Sequence, residues 1–299
     1  MGLAPYGKTK FKETIFKNLI DLKEDGSFRL NMKYFDFTTD LKMTNKNFNN
    51  LFSHEPRIPE KDKLNQFHMD IAASIQAVTE EVVLKILKNI KKEYNPKNLC
   101  LAGGVALNCV ANGKILKENL FENIWIQPAA GDAGGSLGAA LAYWHCEKKE
   151  KRKINTEDKM KGSYLGPEFK DEEIEKKLIE LGANFKKYNQ EELLRKTVSD
   201  LINQKAIGWF QGRMEFGPRA LGARSIIADP RSSEMQKNLN LKVKYRESFR
   251  PFAPAILKED LSEYFDLKIE SPYMLFVSKV ADKIKYNTSK KEEEENIAS

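Results

Sequence analysis

The segment from Arg213 to Arg250 concentrates the side chains best suited to bind an anion. It contains nine Lys or Arg residues against four Asp or Glu residues, and its arginines alternate with Gly, Pro, Phe and Ala. An arginine in such surroundings tends to be partly buried, where an unpaired charge is costly, so it must meet a carboxylate or an incoming anion. Arginine suits phosphate and carboxylate because its planar guanidinium donates two parallel hydrogen bonds. We therefore predict that this segment binds a phosphorylated or carboxylated substrate.

Two alternatives compete with this interpretation. Glu215 and Glu247 are natural partners for some of the cations, which would make the segment a structural ion-pair network. Four acids cannot neutralise nine bases, however, so some cations are left over. A nucleic-acid groove would also use arginine and aromatic side chains, but the density of Gly and Pro favours a shaped pocket.

A second candidate is the stretch Leu101-Ala-Gly-Gly-Val-Ala-Leu-Asn108. A strand that ends in Gly103 and Gly104 before a helix lets backbone N–H groups approach an anion, and the helix dipole adds to the attraction. Asn108 adds a side-chain donor. The same glycines would also serve a tight turn. The stretch is neither a Walker A loop nor a complete GxGxxG motif.

Asp132 lies among glycines in Ala130-Gly-Asp-Ala-Gly-Gly-Ser136 and is therefore sterically open. It can reach a metal ion or a ribose, or it can cap the helix that follows. The histidines His54, His68 and His145 match no two-histidine metal motif, and His68 fits a core position near the apolar face of a long helix.

Regular elements must hold these residues in place. Apolar residues recur every three or four positions from Lys61 to Lys92, which predicts a long amphipathic helix that ends at Asn95-Pro96. Asp25-Gly26 predicts a hairpin turn. Two units of strand, glycine loop and helix follow, over residues 98–118 and 123–145, and they predict an α/β layer.

The charge-rich stretch Glu147–Lys161 predicts the boundary to a second, α+β part. Its predicted elements are helices at Asp171–Leu181 and Glu191–Asn203, a helix capped by Ser232, and strands at Ala206–Gln211, Phe252–Leu257 and near Tyr273–Val280. The charge run Lys290–Glu295 predicts disorder.

Bulk composition limits the classes of function. The chain has 299 residues, 41% of them hydrophobic, which is enough for one large core or two ordinary ones. No apolar run reaches the roughly 18 residues of a membrane span, and the first residues do not resemble a signal peptide, which predicts a cytoplasmic protein. Three scattered cysteines with no CxxC pair indicate a reducing compartment. The net charge of +7 could serve nucleic-acid binding, but the lysines are interspersed with acidic residues.

Taken together, these segments resemble the NodU/CmcH-type O-carbamoyltransferases. The matching stretches are Met1-Gly-Leu-Ala-Pro-Tyr-Gly7, Leu101–Asn108, Gly131–Gly138, Gly162-Ser-Tyr-Leu-Gly-Pro-Glu168, Gln211–Asp229 and Phe249–Pro254. The resemblance implies the second half of an actin/hexokinase-like, or TsaD-like, domain over residues 1–160. It implies an incomplete YrdC-like α/β domain over residues 161–299.

The resemblance also implies a reaction. The YrdC-like domain would take carbamoyl phosphate and ATP and form carbamoyl adenylate. The TsaD-like domain would then pass the carbamoyl group to a hydroxyl of a small-molecule acceptor, such as a sugar or a secondary metabolite. An iron(II) ion belongs to the TsaD-like site in the family, and Mg²⁺ is a further candidate cofactor; neither a membrane nor nucleic acid is an expected partner.

Residue roles follow from the same resemblance. Arg219, Lys244 and Arg250 match the cations that hold carbamoyl phosphate, and three cations around a dianion would stabilise the charge that develops as phosphate leaves. Asp132 matches the aspartate ligand of the metal. The positions that match the nucleotide-handling loop are Gly103, Gly104 and Asn108.

The sequence departs from the family pattern at the metal site and at both ends. The HxxxH motif that supplies two histidine ligands is absent, and Asp132 alone would bind iron weakly. We therefore expect a chain truncated at both ends, which could be a gene fragment, a disrupted copy, or one piece of a split gene with a separately encoded N-terminal half. A non-catalytic remnant and a protein of tRNA threonylcarbamoylation are the alternatives. Exposed apolar surface would mark the remnant, and salt-sensitive tRNA binding would mark the other.

Overall fold

The computed structural model of the protein describes residues 1–59, 61–154 and 157–285. The chain divides into two compact units, one formed by Met1–Leu99 with Gly113–Ile124 and the other by Cys100–Asn112 with residues 125 to 299. The predicted domain boundary near residue 160 stays a prediction. The charge run Lys290–Glu295 lies outside the described residues.

Short helices and strands alternate along the described part of the chain. The helices are α1 (Lys12–Asn18), α2 (Lys46–Phe52), α3 (Gln66–Tyr94), α4 (Cys109–Glu118), α5 (Asp132–Ala142), α6 (Asp171–Glu180), α7 (Gln190–Ile202), α8 (Met235–Asn238) and α9 (Leu261–Tyr264). The strands are β1 (Ile20–Leu22), β2 (Phe28–Leu30), β3 (Asn98–Leu101), β4 (Asn123–Ile126), β5 (Ile207–Phe210) and β6 (Arg224–Ile227). They form three two-stranded sheets, β1 with β2, β3 with β4 and β5 with β6. The mixed α/β class is thus confirmed in its broad form, and no helix among these is long and apolar enough to cross a membrane.

Helix α3 organises the first unit and confirms the predicted long helix. It begins with a capping box, in which Asn65 and His68 exchange backbone and side-chain hydrogen bonds, and it ends at Asn95, whose φ of 45° is left-handed. Pro96 follows directly and cannot continue the helix. The amphipathic pattern and the stop at Asn95-Pro96 are therefore confirmed, whereas the capping box at Asn65 was not predicted.

The core of the first unit forms where α1, the first hairpin and α2 meet the apolar face of α3. Its buried side chains are Ile15, Leu19, Ile20, Phe52, Val78 and Val82. Strands β1 and β2 pair antiparallel, which confirms the predicted hairpin. Gly26 in its turn has a φ of 88°, and a Cβ there would also lie 2.6 Å from the backbone nitrogen of Ile86. Only glycine fits this position.

The N-terminal stretch Leu3–Gly7 serves packing. It forms a 3-10 turn at Ala4–Tyr6, and the next residue, Gly7, lies so close to α3 that a Cβ would be 1.9 Å from the carbonyl oxygen of Met69. The Lys8 N–H then donates to the Asp70 carboxylate at 2.8 Å. This motif anchors the chain start to α3.

In the second unit, α6, α7 and β5 confirm predicted elements, and β5 pairs antiparallel with β6, which the sequence did not reveal. The helix predicted after Ser232 exists as α8, but Glu234 is its N-cap residue and the Ser232 hydroxyl bonds to Gln204, so the predicted cap was wrong.

The strands predicted at Phe252–Leu257 and near Tyr273–Val280 were also wrong. Within the part of the chain that the structure describes, these stretches have no partner strand, apart from an isolated bridge between Phe265 and Val280. Pro251 and Pro254 have no N–H to donate to a strand ladder, so an apolar run beside them cannot pair along its length.

Candidate functional site

Three of the segments singled out in the sequence meet at one loop of the second unit. We call residues 215–224, between β5 and the first residue of β6, the Arg219 loop. Arg219 donates from Nη2 to the Leu107 carbonyl oxygen at 3.3 Å, which joins the loop to Leu101–Asn108. Gly217, with a φ of 117°, lies against Ala129, since a Cβ there would be 3.1 Å from the Ala129 Cβ. The Gly103 N–H donates to the Ala130 carbonyl oxygen at 2.8 Å, which joins the two glycine-containing segments to each other.

A fourth matching stretch, residues 162–168, supports the Arg219 loop from its other side. The Phe216 N–H donates to the Ser163 carbonyl oxygen at 2.6 Å, and the Tyr164 hydroxyl donates to the Leu221 carbonyl oxygen at 2.8 Å. Gly166 contacts Met214 so closely that a Cβ would lie 2.8 Å from the Met214 carbonyl oxygen. Residues 162–168 and the Arg219 loop, which are far apart in sequence, thus pack against each other.

Glu215 and Arg224 pair inside the Arg219 loop. The Glu215 side chain is fully buried, and its Oε2 lies 3.6 Å from Arg224 Nε as an ion pair. Its Oε1 accepts the N–H groups of Leu221 and Ala223 at 2.6 and 2.9 Å. Burial acts to raise the pKa of Glu215, but these two N–H donors and the charge of Arg224 outweigh it and hold that pKa below its usual value. The Glu215 carboxylate is therefore ionised at neutral pH.

Arg219 differs from the other arginines near it. Its side chain is half-buried, its Nε is buried with no hydrogen-bond partner, and it forms no ion pair with any acid of the described residues. By contrast, Arg213 pairs with Glu168 at 3.5 Å and Arg231 with Asp229 at 2.5 Å. A half-buried guanidinium with unused donors calls for an anion.

Arg250 is already paired. Its Nε donates to Glu247 Oε2 at 2.8 Å, and both side chains are partly exposed. The prediction that Glu215 and Glu247 serve as internal partners is therefore confirmed, and the ion-pair network accounts for part of the segment. Lys244 is exposed and forms no ion pair with an acid of the described residues. Of the three cations predicted to bind carbamoyl phosphate, Arg219 and Lys244 thus have no carboxylate partner among the described residues.

The loop that carries Lys244 and Arg250 is held by Asn240, a residue that no sequence motif indicated. Asn240 is completely buried, and its Nδ2 donates to the carbonyl oxygens of Ser248 and Arg250, each at 2.8 Å. Its Oδ1 accepts from Arg246 Nε at 2.6 Å. Burial, and then the charge of Arg250, lowers the pKa of Arg246. Nothing in the surrounding Met-Gln-Lys-Asn-Leu-Asn-Leu stretch distinguishes Asn240 from a surface residue of a helix.

The three predicted cations therefore fall into two groups. Lys244 and Arg250 share one loop, whereas Arg219 contacts the glycine-containing stretch at Leu107. Among the described residues, no hydrogen bond or ion pair joins Arg219 to Lys244 or Arg250.

The glycine-containing stretch is open at the positions proposed for nucleotide binding. Gly103 has a φ of 94°, and a Cβ at Gly103 or Gly104 would have no atom within 4 Å. Open space above two glycines lets a ligand approach the backbone. Asn108 is partly committed, because its Oδ1 accepts the Ala111 N–H at 3.2 Å near the start of α4.

Asp132 stands as the first residue of α5, not as its cap. The N-cap residue is Gly131, and the exposed Asp132 side chain makes no capping hydrogen bond. Within residues 1–59, 61–154 and 157–285, no group of three or more His, Cys, Asp or Glu side chains could hold a metal ion. The donors within the described residues thus do not fit a complete iron site.

Helix α5 and the turn after it are unusually exposed for their composition. The helix contains no buried residue. Leu141, Tyr143 and Trp144 are 47%, 56% and 53% exposed. A run of large apolar side chains in this position is typical of a surface that another polypeptide covers.

Arg219, half-buried and without a carboxylate partner among the described residues, lies beside a loop with open glycines, and this combination has the chemistry to bind a phosphate group. Comparison with known proteins identifies the family. The family model of the carbamoyltransferase N-terminus matches residues 1–141, and that of the carbamoyltransferase C-terminus matches residues 198–294, which include Arg219, Lys244 and Arg250. This chain therefore belongs to the carbamoyltransferase family.

The relatives span a range of identities. The uncharacterized protein sll1178 of Synechocystis sp. is 55% identical over 296 residues, covering 98% of this chain and 48% of that protein. Nodulation protein NolO of Bradyrhizobium diazoefficiens is 36% identical over 286 residues, covering 94% of this chain and 49% of that protein. Nodulation protein U of Sinorhizobium fredii is 31% identical over 210 residues, covering 69% of this chain and 35% of that protein. The chain therefore spans about half the length of the first two of these relatives.

Proposed function

We propose that this chain binds carbamoyl phosphate as part of an O-carbamoyltransferase. The observation that carries the proposal is Arg219, a half-buried guanidinium with an unpartnered Nε and no carboxylate partner among the described residues. Carbamoyl phosphate is a dianion at neutral pH, and an arginine fork donates two hydrogen bonds to phosphate oxygens. Lys244 and Arg250 supply further positive charge in the proposed site.

In the proposed reaction, water releases inorganic phosphate from carbamoyl phosphate, and the resulting carbamate displaces pyrophosphate from ATP to give carbamoyl adenylate. A hydroxyl of a small-molecule acceptor such as a sugar then takes the carbamoyl group, and AMP leaves. Cations fixed around the phosphate would stabilise the charge that grows as phosphate leaves. The open backbone at Gly103 and Gly104 would hold the nucleotide, and this loop lies beside Arg219 through Leu107. Mg²⁺ would accompany ATP.

The domain assignment belongs to the same proposal. Residues 1–160 would belong to a TsaD-like domain of the actin/hexokinase class, and residues 161–299 to a YrdC-like domain. Two successive strand, glycine loop and helix units, β3 to α4 and β4 to α5, support the first part. Asp132 would contribute one metal ligand, with the remaining ligands supplied from elsewhere.

The exposed apolar surface of α5 and of the turn after it supports a partner. We propose that a further polypeptide segment, such as a separately encoded N-terminal half, covers Leu141, Tyr143 and Trp144. The same exposure would be found in a non-catalytic remnant. The two alternatives differ in one respect, since only the first regains activity when the partner is added.

Carbamoyl-phosphate-dependent exchange between ATP and radioactive pyrophosphate tests the proposal. The part of the Synechocystis relative outside the 296 matched residues would be added in trans to this chain. We expect exchange that requires both polypeptides and carbamoyl phosphate and that Arg219→Ala reduces. Folded protein that gives no exchange under these conditions, yet binds carbamoyl phosphate, would favour the remnant.

A further inference from the structure

The Arg219 loop has neither helix nor strand between Glu215 and Ala223, yet two of its own side chains bond along its backbone. Glu215 Oε1 accepts the N–H groups of Leu221 and Ala223. The Arg224 guanidinium donates to the carbonyl oxygens of Glu215 at 2.9 Å and Gly217 at 2.6 Å. It also donates to the carbonyl oxygen of Arg219, at 3.4 Å. Side-chain bonds thus replace the ladder that a regular element would supply.

The same two side chains neutralise each other. Glu215 is fully buried and Arg224 is 29% exposed, and their charged atoms lie 3.6 Å apart. A buried carboxylate or guanidinium alone would be strongly destabilising, whereas a pair with further hydrogen bonds is tolerated. Because this pair cancels, Arg219 is the one cation of the loop whose charge has no partner among the described acids.

We propose that Glu215 and Arg224 are positioning residues that fix the Arg219 loop and so hold the Arg219 guanidinium against Leu107, ready for a phosphate. The identity of that phosphate, carbamoyl phosphate, rests on the proposed function. In this arrangement neither residue touches the ligand. Arg224 holds the loop through the carbonyl oxygens of Gly217 and Arg219, and Glu215 holds it through the N–H groups of Leu221 and Ala223.

A double-mutant cycle measures whether this effect passes through Arg219. Glu215→Gln keeps an acceptor for the N–H groups but removes the ion pair, and Arg224→Lys keeps the charge but cannot reach three carbonyl groups. We expect each to weaken carbamoyl phosphate binding, measured by calorimetry, by about tenfold, because a loosely held guanidinium loses a charge-assisted hydrogen bond. In an Arg219→Ala background the same substitutions should change affinity by less than about twofold.

The control substitution is Arg195→Lys on α7, where Arg195 pairs with Glu191 at the surface with both side chains more than three-quarters exposed. We expect it to leave affinity unchanged. If Glu215→Gln and Arg224→Lys weaken binding equally with and without Arg219, their role is general stability and the inference is overturned.

A second measurement needs no ligand. Amide hydrogen exchange of Leu221 and Ala223 should be slow in the unmodified chain and faster after Arg224→Lys. Unchanged exchange would overturn the inference even if carbamoyl phosphate binds. If the unmodified chain binds no carbamoyl phosphate, the proposed function fails, and the exchange of these amides still decides whether the pair fixes the loop.

Discussion

Arg219 reaches the carbonyl oxygen of Leu107 across 112 residues of sequence, with 3.3 Å between Nη2 and that oxygen. This hydrogen bond uses one donor of the guanidinium and leaves the buried Nε without a partner. The arginine loop and the glycine-containing stretch therefore meet at a single side chain. The proposed positions for carbamoyl phosphate and for nucleotide are consequently neighbours.

Arg219→Ala is the most direct prediction from this contact. Carbamoyl phosphate affinity should fall by about 1.5–3 kcal/mol, the usual range for a hydrogen bond to a charged group. Titration calorimetry measures the change, and Arg195→Ala on the surface of α7 is the matched control. An affinity equal to that of the unmodified chain would remove Arg219 from the site.

Arg250→Ala should change carbamoyl phosphate binding in two ways, by removing a cation and by removing the ion-pair partner of Glu247. The sequence predicts a loss of about 1.5–3 kcal/mol in carbamoyl phosphate binding, and the structure adds that Arg250 first pairs with Glu247. Because the substitution removes Arg250 but keeps the negative charge of Glu247 near the proposed phosphate position, Glu247→Gln in the same background should recover part of the loss. Calorimetry on the single and double variants checks this, and the absence of recovery would show that Glu247 does not face the ligand.

The Asn240 side chain predicts a large effect on stability. Asn240→Leu would remove two donors and one acceptor at a completely buried position and leave the carbonyl oxygens of Ser248 and Arg250 without this partner. Each buried group left unsatisfied costs about 1–3 kcal/mol, so the denaturation midpoint should drop markedly. Neighbouring Asn238→Leu, in α8, is the comparison, and a similar drop in both would argue against a special role for Asn240.

The sequence predicted α3 because many apolar residues along it follow the same helical period and because Asn95-Pro96 marks its end. These signals, like the hairpin turn at Gly26, depend only on residues that are close in sequence. The supposed strand at Phe252–Leu257 failed because an apolar run gives the tendency to pair but not the partner strand. Local sequence signals therefore predict the position of a helix or turn better than they predict which strands pair with each other.

The candidate site shows the same division. Residue types alone indicated that cations outnumber acids between Arg213 and Arg250, and they named Glu215 and Glu247 as partners. They did not reveal which arginine Glu215 would take, since Arg213, Arg219 and Arg224 all lie near it among glycines. In the folded loop, Glu215 pairs with Arg224. Resemblance, not residue chemistry, singled out Arg219 beforehand.

Gly7 tests the role given to the N-terminal stretch. Gly7→Ala would place a Cβ 1.9 Å from the Met69 carbonyl oxygen in α3, and the backbone must shift to relieve the clash. Overpacking of this kind costs about 1–3 kcal/mol, so the first unit should unfold at lower urea concentration. Gly2→Ala, where a Cβ would meet no atom within 4 Å, is the control. Equal midpoints for the two variants would show that Gly7 is not held against α3.

His68 predicts a pH-dependent start of α3. Its Nδ1 accepts the Asn65 N–H at 3.1 Å, so the capping box needs the neutral ring with its proton on Nε2. Burial lowers the pKa of His68 from 6.5, and the nearby His54 and Arg57 lower it further, while Asp62 acts in the opposite direction. Between that lowered pKa and 6.5, the unfolded chain binds more protons than the folded one. The contribution of His68 to the free energy of unfolding is therefore complete above pH 6.5 and is lost as the pH falls toward the folded-state pKa.

His68→Gln should remove this part of the pH dependence, because glutamine can accept the same N–H in a capping box but does not titrate. Urea unfolding at about pH 7.5 and about pH 5 would measure the difference in midpoint for each chain. We expect a smaller difference for His68→Gln than for the unmodified chain. His145→Gln is the control, since His145 is partly buried and bonds to the Glu150 carbonyl oxygen away from α3. A pH dependence in His68→Gln equal to that of the unmodified chain would show that another group governs the acid side of the stability curve.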